Sequence, residues 1–173
     1  LGRDLKALHG LAKRTGSSQD LFGTIHELNA QRKYLILKKA KKLIGGSLNG
    51  KTVSVLGITY KPGTSTLRRS LPLEIVSMII KEGAAVRVFD PKADYGELGG
   101  KPHFFVAQSI DEAIQDIDLI VLLTEWSDFK DYDWKRGLEL SSGKIIFDTK
   151  NFLLNKNLGG LGYKYFGVGL SGR

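Results

Sequence analysis

The sequence predicts an α/β fold: a Rossmann-like, doubly wound, mainly parallel sheet preceded by a helical arm with one long helix. Three observations carry this reading. From Lys51 onward, short runs rich in Val, Ile and Leu alternate with helix-period segments, the signature of parallel βαβ units. One run, "DLIVLLTEW", is apolar almost throughout, as a strand buried on both faces must be. Before Lys51 only helical periodicity is present. The chain therefore divides into a helical segment, residues 1–47, and a Rossmann-like domain, residues 48–173.

In residues 4–15 the spacing of Leu5, Leu8, Leu11 and Ala12 places them on one helix face, with Asp4 as a cap. "GSSQD" breaks the pattern. Residues 20–44 read as one long helix with Leu21, Ile25, Leu28, Leu35, Ile36 and Leu43 on its apolar face, ended by Gly45–Gly46. Its last turns carry Lys38, Lys39, Lys41 and Lys42, which read as a solvated face that suits the helix dipole, with a nucleic-acid patch as the other reading. Then follow the strand "KTVSVLG", the helix "LPLEIVSMIIKEG", the strand "AVRVFDP", a short strand "HFFVA" and a short helix "SIDEAIQDI". "DLIVLLTEW" is a strand, "DWKRGLELSSG" a helix, "KIIFDTKN" a strand and "YKYFGVG" a candidate last strand.

Composition narrows the function classes. The 173 residues are 42% hydrophobic, enough for a core. A formal charge of +8 suits an anionic partner, either nucleic acid or the phosphates of a small substrate. The lysines lack the interleaved aromatics of a stacking platform, so no nucleic-acid partner is expected. No apolar run reaches membrane-spanning length and no signal-peptide pattern opens the chain, so no membrane partner is expected. Without cysteine, disulfides and thiolate–metal sites are excluded, and the histidines at 9, 26 and 103 show no ligand spacing, so no metal is expected.

Ligands of doubly wound sheets gather at the carboxyl ends of the strands. Polar groups stand at four such ends: Tyr60 and Lys61; Asp90; Thr124 and Glu125; Asp148 and Lys150. The first turn, "LGITYKP", lacks the dinucleotide fingerprint, because Ile58 and Thr59 stand where a second glycine would be sought. It continues into Lys61, Thr64, Ser65, Thr66, Arg68 and Arg69 ahead of a helix. That is either an anion site built from side chains and a helix amino end, or a capped loop with solvated cations. Asp90 suits a ribose, but the Pro91 after it suits a simple turn equally. Trp126 reads as packing, and Asn29 and Gln31 as exposed or capping residues.

"LGITYKPGTSTLRRS", "GAAVRVFDPKA", "VLLTEWSDF" and "FDTKN", in this order, resemble the carboxyl-terminal half of nucleotide-sugar 6-dehydrogenases, nearest the UDP-glucose dehydrogenases. "ELNAQRKYLILKKAKKL" resembles that family's long central helix. The resemblance implies an NAD-dependent, cytoplasmic enzyme of polysaccharide biosynthesis. It would oxidise UDP-glucose to UDP-glucuronate in two hydride transfers, with a cysteine thiolate capturing the aldehyde. It also implies a homodimer through the long helix and a UDP-sugar partner.

"LGRD" aligns with the end of the family's "GGSCFPKD", so the chain is expected to start just after the nucleophile, with NAD held mainly by a preceding domain. By the same alignment Asp4 is the catalytic carboxylate that acts with the hydrolytic water, Tyr60, Lys61 and Lys150 contact the substrate, and Arg3 and Arg68 contact the cofactor. A nucleotide-binding or regulatory module without dehydrogenase activity is the alternative. The family's "TDD" or "TGD" is "TST" here, so Arg68 is expected to lack an ion-pair partner. Lys150 stands in place of an arginine and offers charge without a planar two-pronged grip.

Overall fold

A computed structural model describes residues 2–16 and 21–170. In chain order the elements are α1 (Gly2–Arg14), α2 (Leu21–Leu43), β1 (Thr52–Leu56), α3 (Leu71–Lys81), β2 (Ala85–Phe89), β3 (Phe105–Val106), α4 (Ile110–Ile114), β4 (Leu119–Leu122), α5 (Ser127–Asp131), α6 (Trp134–Leu140), β5 (Ile145–Asp148), α7 (Leu158–Leu161) and β6 (Lys164–Gly167). Short 3-10 turns occupy Tyr95–Leu98 and Leu154–Lys156. The expected break after Gly16 falls on residues 17–20, outside the described residues. No helix among the described residues is long and apolar enough to cross a membrane.

The chain separates into two compact units, Leu1–Ile36 and Leu37–Arg173, with the division inside α2. In the first unit Leu5 is buried and the His9 and His26 rings stack with centroids 6.5 Å apart. Asp4 does not cap α1. The helix already begins at Gly2, and Asp4 lies in its first turn, where a carboxylate favours the positive end of the helix dipole. The apolar face expected of α2 is only partly buried. Ile36, Leu37 and Ala40 are covered, whereas Leu21, Leu28 and Leu35, seven residues apart, are 63%, 60% and 64% exposed.

The second unit is a six-stranded sheet, all parallel, in the order β3-β2-β1-β4-β5-β6. All four residues of β4 and the last four of β1 are buried, which is why β4 reads as a continuous apolar run and β1 as one interrupted only by Ser54. The shortest strand, β3, is at one edge, where few ladder bonds are needed. Ser70 caps α3: its hydroxyl accepts from the Leu73 amide (3.2 Å) and donates to the Ile58 carbonyl (2.5 Å). Beyond α3 the chain turns at Gly83, whose φ of +88° suits glycine. One face of the sheet packs against α4 and a cluster that includes Trp126, Phe129, Trp134 and Tyr163.

The strand order reverses between β1 and β4. The chain lays down β2 and β3 on one side of β1, then crosses over to β4, β5 and β6 on the other. Their carboxyl ends form the crevice where open α/β sheets hold ligands.

Candidate functional site

The floor of this crevice is a closed hydrogen-bond network. Asp90, at the end of β2, is buried, and its Oδ2 accepts from the Ile58 amide (2.7 Å), the Thr59 amide (2.9 Å), the Thr59 hydroxyl (3.0 Å) and the Trp126 indole (3.3 Å). Its Oδ1 accepts from the Lys92 amide at 3.0 Å. Oδ2 is thus fully committed to the protein, and Oδ1 holds one backbone amide. The turn role open to Asp90 in the sequence is the one seen: Oδ2 pins the β1 turn. Trp126 is a packing residue with one further bond, from its indole N–H to Thr59 Oγ1 at 3.0 Å. Across the crevice the Thr124 hydroxyl donates to the Thr59 carbonyl at 2.8 Å.

Gly57 finds its reason here. Its φ is +83°, and a Cβ at this position would lie 2.6 Å from the Thr124 carbonyl oxygen. The glycine lets β4 approach the β1 turn.

Above this floor the chain emerges into the rim. The Tyr60 amide donates to the Thr66 carbonyl (3.0 Å) and closes a loop that presents Tyr60 and Lys61 to solvent. Arg68 and Arg69 are exposed on the same loop, and Arg69 has a left-handed φ of +57°. Arg68 does not lack a partner, as the "TST" departure led one to expect. Its Nε lies 3.7 Å from Oε1 of Glu97, a carboxylate supplied from the Tyr95–Leu98 turn. Glu97 Oε2 accepts from the Leu67 amide (2.7 Å), the Thr66 hydroxyl (2.9 Å) and the Arg68 amide (3.2 Å). These bonds, the Leu67 amide first, hold its carboxyl below the usual glutamate range. Beside Asp90, the Tyr95 phenol is pushed up to about 12, first by burial and then by the Asp90 charge.

Two strands from β1, Lys150 follows β5. Its ammonium lies 3.4 Å from Oε2 of Glu125, which follows β4. Asp148 is fully buried and takes its bonds from the Tyr165 hydroxyl (2.8 Å), the Leu153 amide (2.8 Å) and the Lys150 amide (2.9 Å). It orders the Lys150 turn as Asp90 orders the first one. Nearby, Lys39 of α2 donates to the Gly167 carbonyl and lies over the Phe147 ring, 5.4 Å from its centroid.

This geometry is a rigid, amide-satisfied floor under a rim of exposed cations, on a sheet with a central switch point. A model described as the UDP-glucose/GDP-mannose dehydrogenase family, UDP binding domain, matches residues 54–155. The chain belongs to that family. UDP-glucose 6-dehydrogenase of Rickettsia conorii is 31% identical over 170 residues, which are 96% of this chain and 39% of that protein. UDP-glucose 6-dehydrogenase of Pseudomonas aeruginosa is 27% identical over 173 residues, with 96% and 38% covered. Among solved structures, the UDP-N-acetyl-mannosamine dehydrogenase of Staphylococcus aureus matches with a TM-score of 0.70 and 26% identity, over 86% of this chain and 33% of the other. The chain therefore spans well under half the length of these relatives.

The residues matched to the UDP-binding family model include Tyr60, Lys61, Arg68 and Lys150. The structure places the first three on one loop and Lys150 at the end of a strand two removed from it. Arg3 and Asp4 precede the match and lie in α1 of the first unit; Asp4 is exposed, and the Arg3 side chain is outside the described residues. Sequence reasoning missed Glu97, the carboxylate beside Arg68. The distance from Glu97 to its loop in sequence hides it, whereas "TEW" at a strand end had marked Glu125 only as polar.

Proposed function

We propose that this chain is the carboxyl-terminal, UDP-binding part of a nucleotide-sugar 6-dehydrogenase, and that the whole protein oxidises UDP-glucose to UDP-glucuronate with NAD. The observation that carries the reading is the exposed cationic loop Tyr60–Arg68, raised on a locked floor at the switch point of a UDP-binding family domain. The names of the relatives support UDP-glucose as the sugar nucleotide.

Lys61 and Lys150 supply positive charge for the diphosphate, and the exposed ring of Tyr60 offers an apolar face to the base or sugar. Lys150 shares its charge between the ligand and Glu125. The β1 turn itself does not fit a dinucleotide pyrophosphate, because the Ile58 and Thr59 amides that would face it are bound to Asp90. Contact with NAD from this chain therefore runs through side chains, Arg68 and Arg3. Asp4 is the carboxylate that acts with the hydrolytic water. The exposed Leu21–Leu28–Leu35 stripe of α2 suits a homodimer in a cytoplasmic enzyme.

Isothermal calorimetry with UDP tests the site. Solvent-exposed charge contacts contribute roughly 1 kcal/mol or less each, so the affinity of this chain is on the order of high micromolar or weaker. Lys61→Ala weakens binding and Lys38→Ala, which removes the same charge from an exposed position on α2, does not. Equal losses at two salt concentrations would mean unspecific attraction to a basic protein, and the assignment would fail.

A further inference from the structure

Residues 60–70 carry Lys61, Arg68 and Arg69 and no carboxylate. A loop of this kind repels itself, and its amides need acceptors. The structure meets both needs from another loop. Asp94 accepts from the Gly96 amide (3.0 Å) and so caps the Tyr95–Leu98 turn, while its own amide donates to the Ser65 carbonyl (2.9 Å). That turn delivers Glu97 to the Thr66 hydroxyl and the Leu67 and Arg68 amides. Thr66 Oγ1 in turn accepts from the Arg68 amide at 3.2 Å, so backbone, hydroxyl and carboxylate form one closed unit.

We propose that Glu97 is the positioning residue of the anion-binding loop: it fixes the main chain at Leu67 and Arg68, and with it the presentation of Tyr60, Lys61 and Arg68, while its looser pairing with the exposed Arg68 guanidinium lets that group turn to a phosphate. The inference rests on the reading of this loop as a diphosphate site. The geometry separates the two roles. The amide bonds are 2.7 and 3.2 Å long, whereas the guanidinium contact is 3.7 Å, beyond hydrogen-bond length, on a side chain that is 83% exposed. Glu97 grips the backbone and only loosely restrains the side chain. The same bonds hold its carboxyl below the usual glutamate range, so the grip persists further into acid than an ordinary glutamate's would.

The sign of one mutational effect decides the matter. A carboxylate beside a cationic loop repels a diphosphate, so if Glu97 acted only through its charge, removing it would tighten UDP binding. If it positions the loop, removing it loosens UDP binding despite the gain in net charge. The test is calorimetry with UDP together with amide hydrogen exchange at Leu67 and Arg68, on the 173-residue chain and on Glu97→Ala, Glu97→Gln and Glu139→Ala. Glu139 is exposed on α6, and its loss controls for net charge.

In Glu97→Ala, exchange at both amides is expected to accelerate and UDP affinity to fall about fivefold or more, the loss of roughly one charge-assisted bond. Glu97→Gln, whose amide oxygen can still accept, recovers part of both. Glu139→Ala changes neither. Unchanged exchange in Glu97→Ala overturns the proposal, and so does equal or tighter UDP binding. The underlying reading fails separately: a wild-type chain that binds no UDP overturns the diphosphate site, and the exchange rates then still decide whether Glu97 holds the loop.

Discussion

At Asp90 a single carboxylate oxygen meets four donors from the β1 turn and from Trp126. Such charge-assisted bonds are strong, and a donor left unsatisfied in the interior costs about 1–3 kcal/mol. Asp90→Ala is therefore expected to destabilise the domain by about 3 kcal/mol in urea unfolding. Gly57→Ala meets both a left-handed φ and the Thr124 carbonyl, and should cost about 2 kcal/mol or more by the same measurement. The pH dependence differs in sign at two residues. Glu97 is depressed in the folded chain, so its contribution is complete above the ordinary glutamate value and is lost as pH falls through the lowered one. Exchange at the Leu67 amide should rise over that acid range relative to its intrinsic rate. Tyr95 is raised, so its contribution is complete below its ordinary value of 10.0 and is lost as pH rises through about 12, which phenolate absorbance alongside circular dichroism would follow. Asp90 was legible as a polar strand end, but "DP" alone could not show whether its oxygens faced a ribose or the chain's own amides.

Among the elements, α2 shows where local pattern stops. Its run of lysines reads as one solvated face, yet the structure divides it. Lys38 and Lys42 are exposed, Lys41 pairs with Glu82 at 2.6 Å, and Lys39 bonds the carboxyl end of β6. Nothing in the spacing of four lysines announces partners 41 and 128 residues away. Lys39→Ala is expected to destabilise the second unit by about 1–2 kcal/mol, and Lys38→Ala by no more than about 0.5 kcal/mol, in thermal unfolding. The strands were legible as short apolar runs and the longer helices by their periodicity. The five-residue α5 was not: its cap position is Trp126, with no side-chain cap bond, so it lacks a start signal. The leucine stripe of α2 was legible as an apolar face. If it is the homodimer contact, Leu28→Ser with Leu35→Ser should turn a dimer into a monomer in sedimentation equilibrium; a monomeric wild-type chain would remove the contact.

For the molecule as a whole, alternation of strands and helices predicted a doubly wound parallel sheet, and the structure has one. The order of strands was not legible, since a crossover from β3 to the far side of β1 depends on packing over the whole sheet. That order places the Tyr60 loop, Glu125 and Lys150 along the ends of three consecutive strands, β1, β4 and β5. A charge of +8 could still draw UDP anywhere on the surface. The most direct test is therefore to titrate UDP into the 15N-labelled chain and map the amide shifts. The UDP site predicts saturable shifts concentrated at residues 57–61, 124–126 and 148–151, still present at raised salt. Shifts that instead spread over the exposed lysines of α2 and vanish with salt would contradict it.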